Sequence, residues 1–358
     1  MARGMTRSPA EGARGRAPES TPEGLRPPGR VAGGRLGRAA RRGLGFVGWR
    51  LLQALLVLWA AFTVAFGVLY LLPSDPVTIM AAGGGEASSV TPEQIAELRA
   101  EYGLDESVWR QYLTRLLDAA HGDLGASVQT GEPVRQVIAE ALPPTVQLTA
   151  TALVLAVLGG AGLALAATYT RLRWLRQVLL ALPAAGVSAP TFWVGLLLIQ
   201  LVSFRWGLLP AIGQEGWRSL VLPALTLALP SGAVLAQVFA RSLRTALAEP
   251  WAETARAKGA SRLRVHFGHA ARNAALPPLT VAGLLLGNLL SGSVVVETVF
   301  SRAGLGRTTA QAVGAQDIPL VLGVVVFGAA VYVLANLLVD LCYPLLDPRV
   351  RTGRAVTA

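Results

Sequence analysis

Six long apolar stretches divide this chain of 358 residues, and none of them contains a charged residue or a histidine. Each is 21 to 25 residues long. An α-helix of that length, rising about 1.5 Å per residue, spans the roughly 30 Å hydrocarbon core of a bilayer. Buried helices of a soluble protein would be shorter and would carry a polar face. The pattern therefore predicts an all-α polytopic membrane protein with six transmembrane helices, at residues 51–72, 145–168, 178–202, 220–240, 276–296 and 318–339.

The longest polar segment, residues 73–140, separates the first two apolar stretches and contains helix signals of its own. Residues 91–103 and 104–122 each have a capping residue near the start and a glycine at the end. The second also has apolar side chains at helical spacing. We expect two short amphipathic helices at the outer mouth of the bundle, because neither is long enough to fold alone.

Prolines and glycines inside the apolar stretches predict local departures from regular helix packing. Pro183 and Pro190 are expected to interrupt the third helix and Pro230 the fourth, since proline removes a backbone hydrogen bond. Gly283 and Gly287 form a G-x-x-x-G pair in the fifth helix, a spacing that lets two membrane helices approach closely. Helix packing is the role predicted for both glycines.

The basic residues are distributed unevenly between the two sides of the membrane. Four segments hold 24 of the 32 lysines and arginines: 1–50, 169–177, 241–275 and 340–358. By the positive-inside rule these segments, and with them both termini, are predicted to be cytoplasmic. The net charge of +11 is then a signal of topology. The basic tail 1–45 has no aromatic residue, so it does not suggest nucleic-acid binding, and its Gly, Pro and Arg content predicts disorder.

Several kinds of chemistry are missing from the chain. Ion-coupled carriers usually need an ionisable group near the bilayer midplane, and the six apolar stretches contain none. The only lysine, Lys258, is followed by glycine, so the chain has no P-loop for ATP. His266 and His269 have a spacing that two metal ligands can share, but no carboxylate lies close by in sequence. We predict no metal or catalytic site and an energy source in another subunit.

A basic segment with small residues interrupts the apolar pattern between the fourth and fifth helices. Glu249 and Pro250 predict the start of a short helix, Gly259 its end, and Ser261 the cap of another helix. The first of these helices is about two turns long, too short to be stable alone in water. Its alanines would let another backbone come close. A short helix joined to two membrane helices suits docking into a cleft of a partner protein.

This segment contains "ETARAKG" at residues 253–259, which resembles the EAA-x-x-x-G signature of ABC-importer permeases. Within that superfamily the chain resembles the "B"-type permeases of the dipeptide/oligopeptide (and nickel) family. The resemblance extends over residues 47–351 and includes "LLPSDPV" at 71–77, "LPPTVQLT" at 142–149 and "VVVETVFSRAGLGR" at 294–307. It departs at Thr254, where the family usually has alanine, and in the tail 1–45, which is extra.

The resemblance implies the type I ABC importer fold, with a large extracytoplasmic loop between the first two membrane helices. On this basis the chain consists of a tail (1–45), a first helix (47–72), the extracytoplasmic loop (73–140), a five-helix transmembrane domain (141–343) and a cytoplasmic tail (344–358). The domain contains the predicted coupling loop, residues 241–275. The residues expected to dock on the ATPase are Glu253, Thr254, Ala255, Arg256, Lys258 and Gly259.

The family's known assembly implies the partners and the location of this chain. The expected partners are a homologous "C"-type permease, two ABC ATPase subunits or one double one, and an extracytoplasmic substrate-binding protein. ATP and Mg would be bound by the ATPase subunits, so no cofactor is expected in this chain. The implied location is the plasma (inner) membrane of a prokaryote, where the chain would cross the lipid bilayer several times and import peptides.

Two alternatives remain open at the level of sequence. Nickel or another small solute could replace peptide, since specificity in such systems is set largely by the binding protein. A self-sufficient secondary carrier or channel belongs to a different class. A neighbouring reading frame with the G-x-x-x-x-G-K-[ST] pattern of an ATPase would support the ATP-driven importer over this second alternative.

Overall fold

The protein consists of helices joined by short polar turns. The structure, a computed structural model, describes residues 32–71 and 105–346, and those two ranges contain no β-strand. The chain divides into two compact units, 1–49 and 50–358, and the helix packing described below lies within the second. The α-helices are Ala32–Leu71 (α1), Val108–Ala120 (α2), Val134–Tyr169 (α3), Arg173–Ser188 (α4), Thr191–Leu198 (α5), Arg218–Ala248 (α6), Pro250–Ala257 (α7), Leu276–Val299 (α8), Leu305–Gly314 (α9) and Ile318–Leu346 (α10). Two π-helical segments are Ile199–Arg205 (π1), which extends α5, and Arg264–Ala270 (π2), which continues into the turn Ala271–Asn273.

Four helices of the described chain are long and apolar enough to cross a membrane: Gly48–Leu69 within α1, α3, α6 and α8. A fifth crossing arises if α4 and residues 191–205, which meet at an angle of 105°, form one bent span. Helix α10 covers the sixth predicted span, residues 318–339. The all-helical membrane fold is confirmed, with four to five clear spans where the sequence predicts six.

The third predicted span, 178–202, is bent rather than straight. Helix α4 ends at Ser188, and Ala189 is extended (φ −77°, ψ 125°) because the residue before a proline, here Pro190, is disfavoured in helical conformation. The interruptions predicted at Pro183 and Pro230 were wrong. Both prolines lie inside continuous helices, α4 and α6, where neighbouring helices can compensate for the freed backbone carbonyls.

Helices α3 and α6 form a closely packed pair at the centre of the bundle. A Cβ on Gly160 of α3 would lie 2.6 Å from the carbonyl oxygen of Gly232 on α6, so the two backbones touch there. Small buried residues recur along α3 every three or four positions: Ala152, Ala156, Gly160, Ala164 and Ala167. Lipid chains are as apolar as these side chains, and close van der Waals packing therefore holds membrane helices together.

The G-x-x-x-G pair predicted for helix packing lies on α8. A Cβ on Gly287 would come within 2.7 Å of the ring of Tyr332 on α10. Gly287 therefore gives room to an aromatic ring rather than to a second backbone. Gly283, one turn earlier, is half-buried. Close approach of one helix backbone to another occurs at Gly160 and Gly232 instead.

The polar segments agree with the predicted organisation where the structure describes them. The second amphipathic helix is α2, and Tyr112 and Leu116 on it pack against Phe62 and Phe66 of α1. The first, at 91–103, lies outside the described residues, as do 1–31 and 347–358. Helix α1 begins at Ala32, within the tail predicted to be disordered. Residues 32–45 extend the apolar membrane helix, and extension of an existing helix needs no new nucleus.

Candidate functional site

Helix α7 is the short helix of the predicted coupling loop, residues 241–275, and directly follows α6. Glu249 precedes it in an extended conformation (φ −73°, ψ 150°), and Pro250 takes the first helical position, where a missing N–H costs no hydrogen bond. The Trp251 indole donates a 2.8 Å hydrogen bond to the Glu249 carboxylate. Glu253 lies in the first turn, where the helix dipole favours a negative charge. The local sequence thus accounts for the start of α7.

The end of α7 is a Schellman motif centred on Gly259. The Gly259 N–H donates to the Arg256 carbonyl at 2.9 Å, and the Ala260 N–H donates to the Ala255 carbonyl at 3.0 Å. This pair of bonds needs a left-handed residue after the helix. Gly259 has φ +86°, and a Cβ added there would meet no atom within 4 Å. The helix end predicted at Gly259 is confirmed.

The motif residues of α7 lie on the surface. Ala252 is fully buried and fixes one side of the helix against the rest of the loop, while Ala255 is half-buried. The remaining motif residues are exposed: Glu253, Thr254, Arg256, Lys258 and Gly259. The structure therefore places Glu253, Thr254, Ala255 and Arg256 on one short helix, with Lys258 and Gly259 at its C-terminal end, and the outer side of this helix is free within the described chain.

The loop is anchored to the end of α3 by a group of contacts that the sequence did not predict. The Arg262 guanidinium donates to the Tyr169 carbonyl oxygen and lies 4.5 Å from the centre of the Tyr169 ring. His266 is buried, and its Nε2 lies 3.2 Å from the Thr168 hydroxyl. Burial lowers the pKa of His266, and the nearby charge of Arg262 adds to the effect. A neutral imidazole is the state that suits this site.

The loop is also anchored to α6 through apolar packing. Phe239, Leu243 and Ala246 of α6 form a buried cluster with Ala270 and Ala274, and Trp251 of α7 packs against it. Ser261 caps π2, since its hydroxyl accepts a 3.3 Å hydrogen bond from the Arg264 N–H. Helix α7 thus packs against α6 and π2, and Arg262 and His266 link the same loop to α3. A displacement of α7 would be transmitted to α6 directly and to α3 through this segment.

The two histidines that share a metal-ligand spacing make separate contacts. His266 faces Thr168, whereas His269 is exposed and its ring lies 6.3 Å from that of Trp251. Over the residues that the structure describes, no three His, Cys, Asp or Glu side chains are close enough together to hold a metal ion.

A second polar cluster, built around Glu297, lies at the opposite end of α8. The Glu297 side chain is fully buried and accepts a 2.7 Å hydrogen bond from the Thr145 hydroxyl of α3. The N–H groups of Gly306 and Arg307, in the first turn of α9, donate to its other oxygen at 2.7 and 3.2 Å. The Leu305 N–H donates to the Thr145 hydroxyl at 2.8 Å. The carboxylate therefore joins α3, α8 and the start of α9.

Asp317 makes a similar junction after the end of α9. It is buried, accepts a hydrogen bond from the Ser127 hydroxyl and accepts another from the Val128 N–H at 3.2 Å. The Leu320 N–H of α10 also donates to it, at 3.2 Å. The Glu297 carboxylate thus holds the start of α9, and the Asp317 carboxylate holds the turn between α9 and α10 against Ser127 and Val128.

Glu297 was not predicted from the sequence as a functional residue, because the predicted apolar stretch 276–296 ends one residue before it. The available signal was a lone carboxylate directly after a long apolar helix, followed by the glycine-rich turn "SRAGLG". The turn allows close approach, since a Cβ on Gly306 would lie 2.4 Å from the Val294 Cα. A buried carboxylate at such a place needs several donors, and closely approaching backbone N–H groups supply them.

Comparison with known proteins covers nearly all of the chain outside its N-terminal tail. The pattern of the family "Binding-protein-dependent transport system inner membrane component" matches residues 156–352, and the pattern of the N-terminal region of such membrane components matches residues 44–149. A crystal structure of an amino acid ABC transporter with histidines is 20% identical, with a TM-score of 0.45, over 60% of this chain and 94% of its own.

Characterised relatives match over almost their whole length. The glutathione transport system permease protein GsiC of Escherichia coli O6:H1 is 37% identical over 309 residues, which is 86% of this chain and 99% of the relative. The protein of the same name from Salmonella choleraesuis is 38% identical over 312 residues, again 86% of this chain and 99% of the relative. Because both the family pattern and these relatives match over most of the chain, the chain belongs to the binding-protein-dependent inner membrane components and is an ABC importer permease of the dipeptide/oligopeptide family.

Proposed function

We propose that this chain is the pore-forming permease of an ATP-driven importer of short peptides, and that α7 couples ATP hydrolysis in partner subunits to translocation. As a member of its family the chain is a multi-pass inner membrane transport subunit and not an enzyme. The observation that carries the proposal is the geometry of α7. Its outer side is exposed, its end is fixed at Gly259, and the loop that contains it is anchored to α3 and α6.

The proposal assigns the remaining tasks to partner proteins. Two ATPase subunits bind ATP and Mg and receive α7, a homologous permease completes the pore, and an extracytoplasmic binding protein delivers the solute. Both termini lie in the cytoplasm, on the side that carries most of the basic residues. The relatives' name, glutathione transport system permease, makes glutathione and other short peptides the first solutes to test.

The test is uptake by proteoliposomes that contain this chain with the permease, ATPase and binding protein encoded beside it. ATP-dependent accumulation of labelled glutathione or of a di- to pentapeptide is expected, with no accumulation when the ATPase subunits are omitted. Labelled Ni²⁺ is measured in parallel. Accumulation of Ni²⁺ without peptide would replace the proposed solute, and accumulation of any solute without ATPase would contradict the proposed mechanism.

A further inference from the structure

A cavity of about 640 Å³ opens between α3, α4 and α6, near the end of α6 that leads into the predicted coupling loop. Its walls are mostly apolar: Leu163, Ala164 and Ala167 of α3, Leu179, Leu180 and Pro183 of α4, and Ala236 and Ala240 of α6. Because many of these side chains are alanines, three packed helices leave an open space there. The leucines and the proline give that space a hydrocarbon surface.

The rim of this cavity is basic. Gln237, Arg241, Arg244 and Ala248 of α6 line it and recur every three or four residues, so they share one face of the helix. Arg241 and Arg244 are exposed and lie one turn apart. Within the described chain, neither guanidinium has an ion pair or a hydrogen bond to another residue. The cavity therefore has two positive charges at its rim that no described carboxylate neutralises.

Helix α4 adds a third basic residue, Arg176, near the rim of the cavity. Arg176 precedes the lining residue Leu180 by four positions and Pro183 by seven, which places it on their face of the helix. Trp174, also in the first turn of α4, is exposed, as is typical of the residues that lie at the level of lipid headgroups. Charge and aromatic placement both put the rim of the cavity at the membrane surface.

We propose that this cavity binds an anionic phospholipid, with its phosphate between Arg241 and Arg244 and an acyl chain against Leu179, Leu180 and Pro183. Basic pockets between membrane helices are suited to acidic headgroups, and the apolar walls match a hydrocarbon chain. The acidic surface of an ATPase would satisfy the arginines but would leave the apolar walls uncovered. The site is distinct from α7, and lipid binding does not depend on the proposed transport function.

The test measures lipid bound to the purified full-length chain by native mass spectrometry in a neutral detergent. Phosphatidylglycerol is compared with phosphatidylcholine of the same acyl chains, and inorganic phosphate and glutathione are added as competitors. The variant is Arg241→Ala/Arg244→Ala. The matched control is Arg264→Ala/Arg272→Ala, which removes two exposed arginines from the same side without touching the cavity.

We expect the parent to prefer phosphatidylglycerol to phosphatidylcholine. The cavity variant should bind phosphatidylglycerol about 25-fold more weakly, because each of the two arginines is expected to contribute about fivefold to the affinity. The control should bind like the parent, and neither competitor should displace the lipid. Equal binding of the two lipids by the parent, or unchanged binding by the cavity variant, would overturn the proposal. Displacement by phosphate alone would show an anion site without an acyl-chain component, and displacement by glutathione a solute site, and either result would also overturn it.

A second arm uses the unmodified chain, so that it does not depend on how a variant folds. Phosphatidylglycerol with a photoreactive acyl chain should crosslink to α4 or α6 at the cavity walls. Crosslinks confined to the outer surfaces of α1 and α8 would place the lipid elsewhere. If the cavity variant instead loses its association with the ATPase while lipid binding is unchanged, the arginines contact protein and the lipid assignment is wrong.

Discussion

At the scale of single residues, Glu297 shows how a buried carboxylate is stabilised by hydrogen bonds and joins the helices that donate them. Its two oxygens accept hydrogen bonds from a threonine hydroxyl on α3 and from two backbone N–H groups of α9. Without it the two N–H groups would lose their acceptor, and an unpaired buried donor costs about 1–3 kcal/mol. The Thr145 hydroxyl would keep its 3.3 Å hydrogen bond to the Ala141 carbonyl. The residue is therefore expected to hold α9 in place.

Replacing Glu297 by alanine should destabilise the protein by about 2–4 kcal/mol, since the N–H groups of Gly306 and Arg307 lose their acceptor. Glu297→Gln should cost less because one carbonyl oxygen remains. The measurement is an SDS unfolding titration in mixed micelles. Glu253→Ala, the same change at an exposed site, is the control and should change stability by less than about 0.5 kcal/mol. Equal effects of the two alanine variants would show that the buried cluster is not stabilising.

The conformation of Gly259 could be predicted from sequence, and the surroundings of Glu297 could not. A glycine that follows a short run of helix-forming residues signals a left-handed helix end through purely local geometry. Glu297 finds its partner Thr145 across 152 positions of the chain. The same holds for Arg262, which reaches Tyr169. Local rules give helix ends, whereas such long-range contacts appear only when the helices are packed.

At the scale of elements, the predicted coupling loop is held to α3 by π2. His266 is buried against Thr168, Tyr169 and Phe267, and Arg262 is the charged group that faces the same site. Because burial lowers the pKa of His266 below 6.5, protonation is easier when the loop is detached than when it is packed. By linkage, packing of the loop is strongest above pH 6.5 and weakens as the pH falls below that value.

We therefore expect residues 262–270 to lose protection against hydrogen exchange between pH 7.5 and pH 5.5, after correction for the intrinsic exchange rate. His266→Gln should remove this pH dependence because glutamine does not titrate in that range. His269→Gln, an exposed histidine of the same segment, is the matched control and should keep it. Protection that is independent of pH in the parent would contradict the proposed role of the buried imidazole.

The bend between α4 and α5 shows another limit of sequence reasoning at this scale. The hydropathy of residues 178–202 predicts a segment long enough to span the membrane. It does not predict the direction of the helix axis within that segment. Pro183, Pro190 and Pro230 look alike in sequence, yet only Pro190 stands at a break. Whether a proline breaks a membrane helix depends on what its neighbours can supply.

At the scale of the whole molecule, hydropathy and charge were enough to predict a helical membrane protein, because the bilayer imposes one length and one kind of surface on every span. The orientation rests on the positive-inside rule and has a direct test. In a Cys342→Ser background, single cysteines in α2 should react with a membrane-impermeant thiol reagent in intact cells. Cysteines at 253–264 should react only after permeabilisation, and the reverse pattern would invert the topology.

We propose that α7 transmits the effect of ATP hydrolysis to the membrane helices. Gly259→Val places a β-branched side chain at φ +86°, a conformation that costs about 1–2 kcal/mol for residues with a Cβ, and so displaces the end of α7. Gly268→Val is the matched control in the same loop. A Cβ at Gly268, which lies inside π2, meets its nearest atom at an ordinary 3.9 Å.

The most direct measurement is the number of solute molecules taken up per ATP hydrolysed by the reconstituted importer, recorded together with recovery of the complex. Gly259→Val should leave the chain inserted in the membrane but reduce either ATPase recovery or the uptake per ATP by about tenfold, which corresponds to about 1.4 kcal/mol. Gly268→Val should remain near the parent value. If Gly259→Val assembles, hydrolyses ATP and transports like the parent, α7 is not the coupling element.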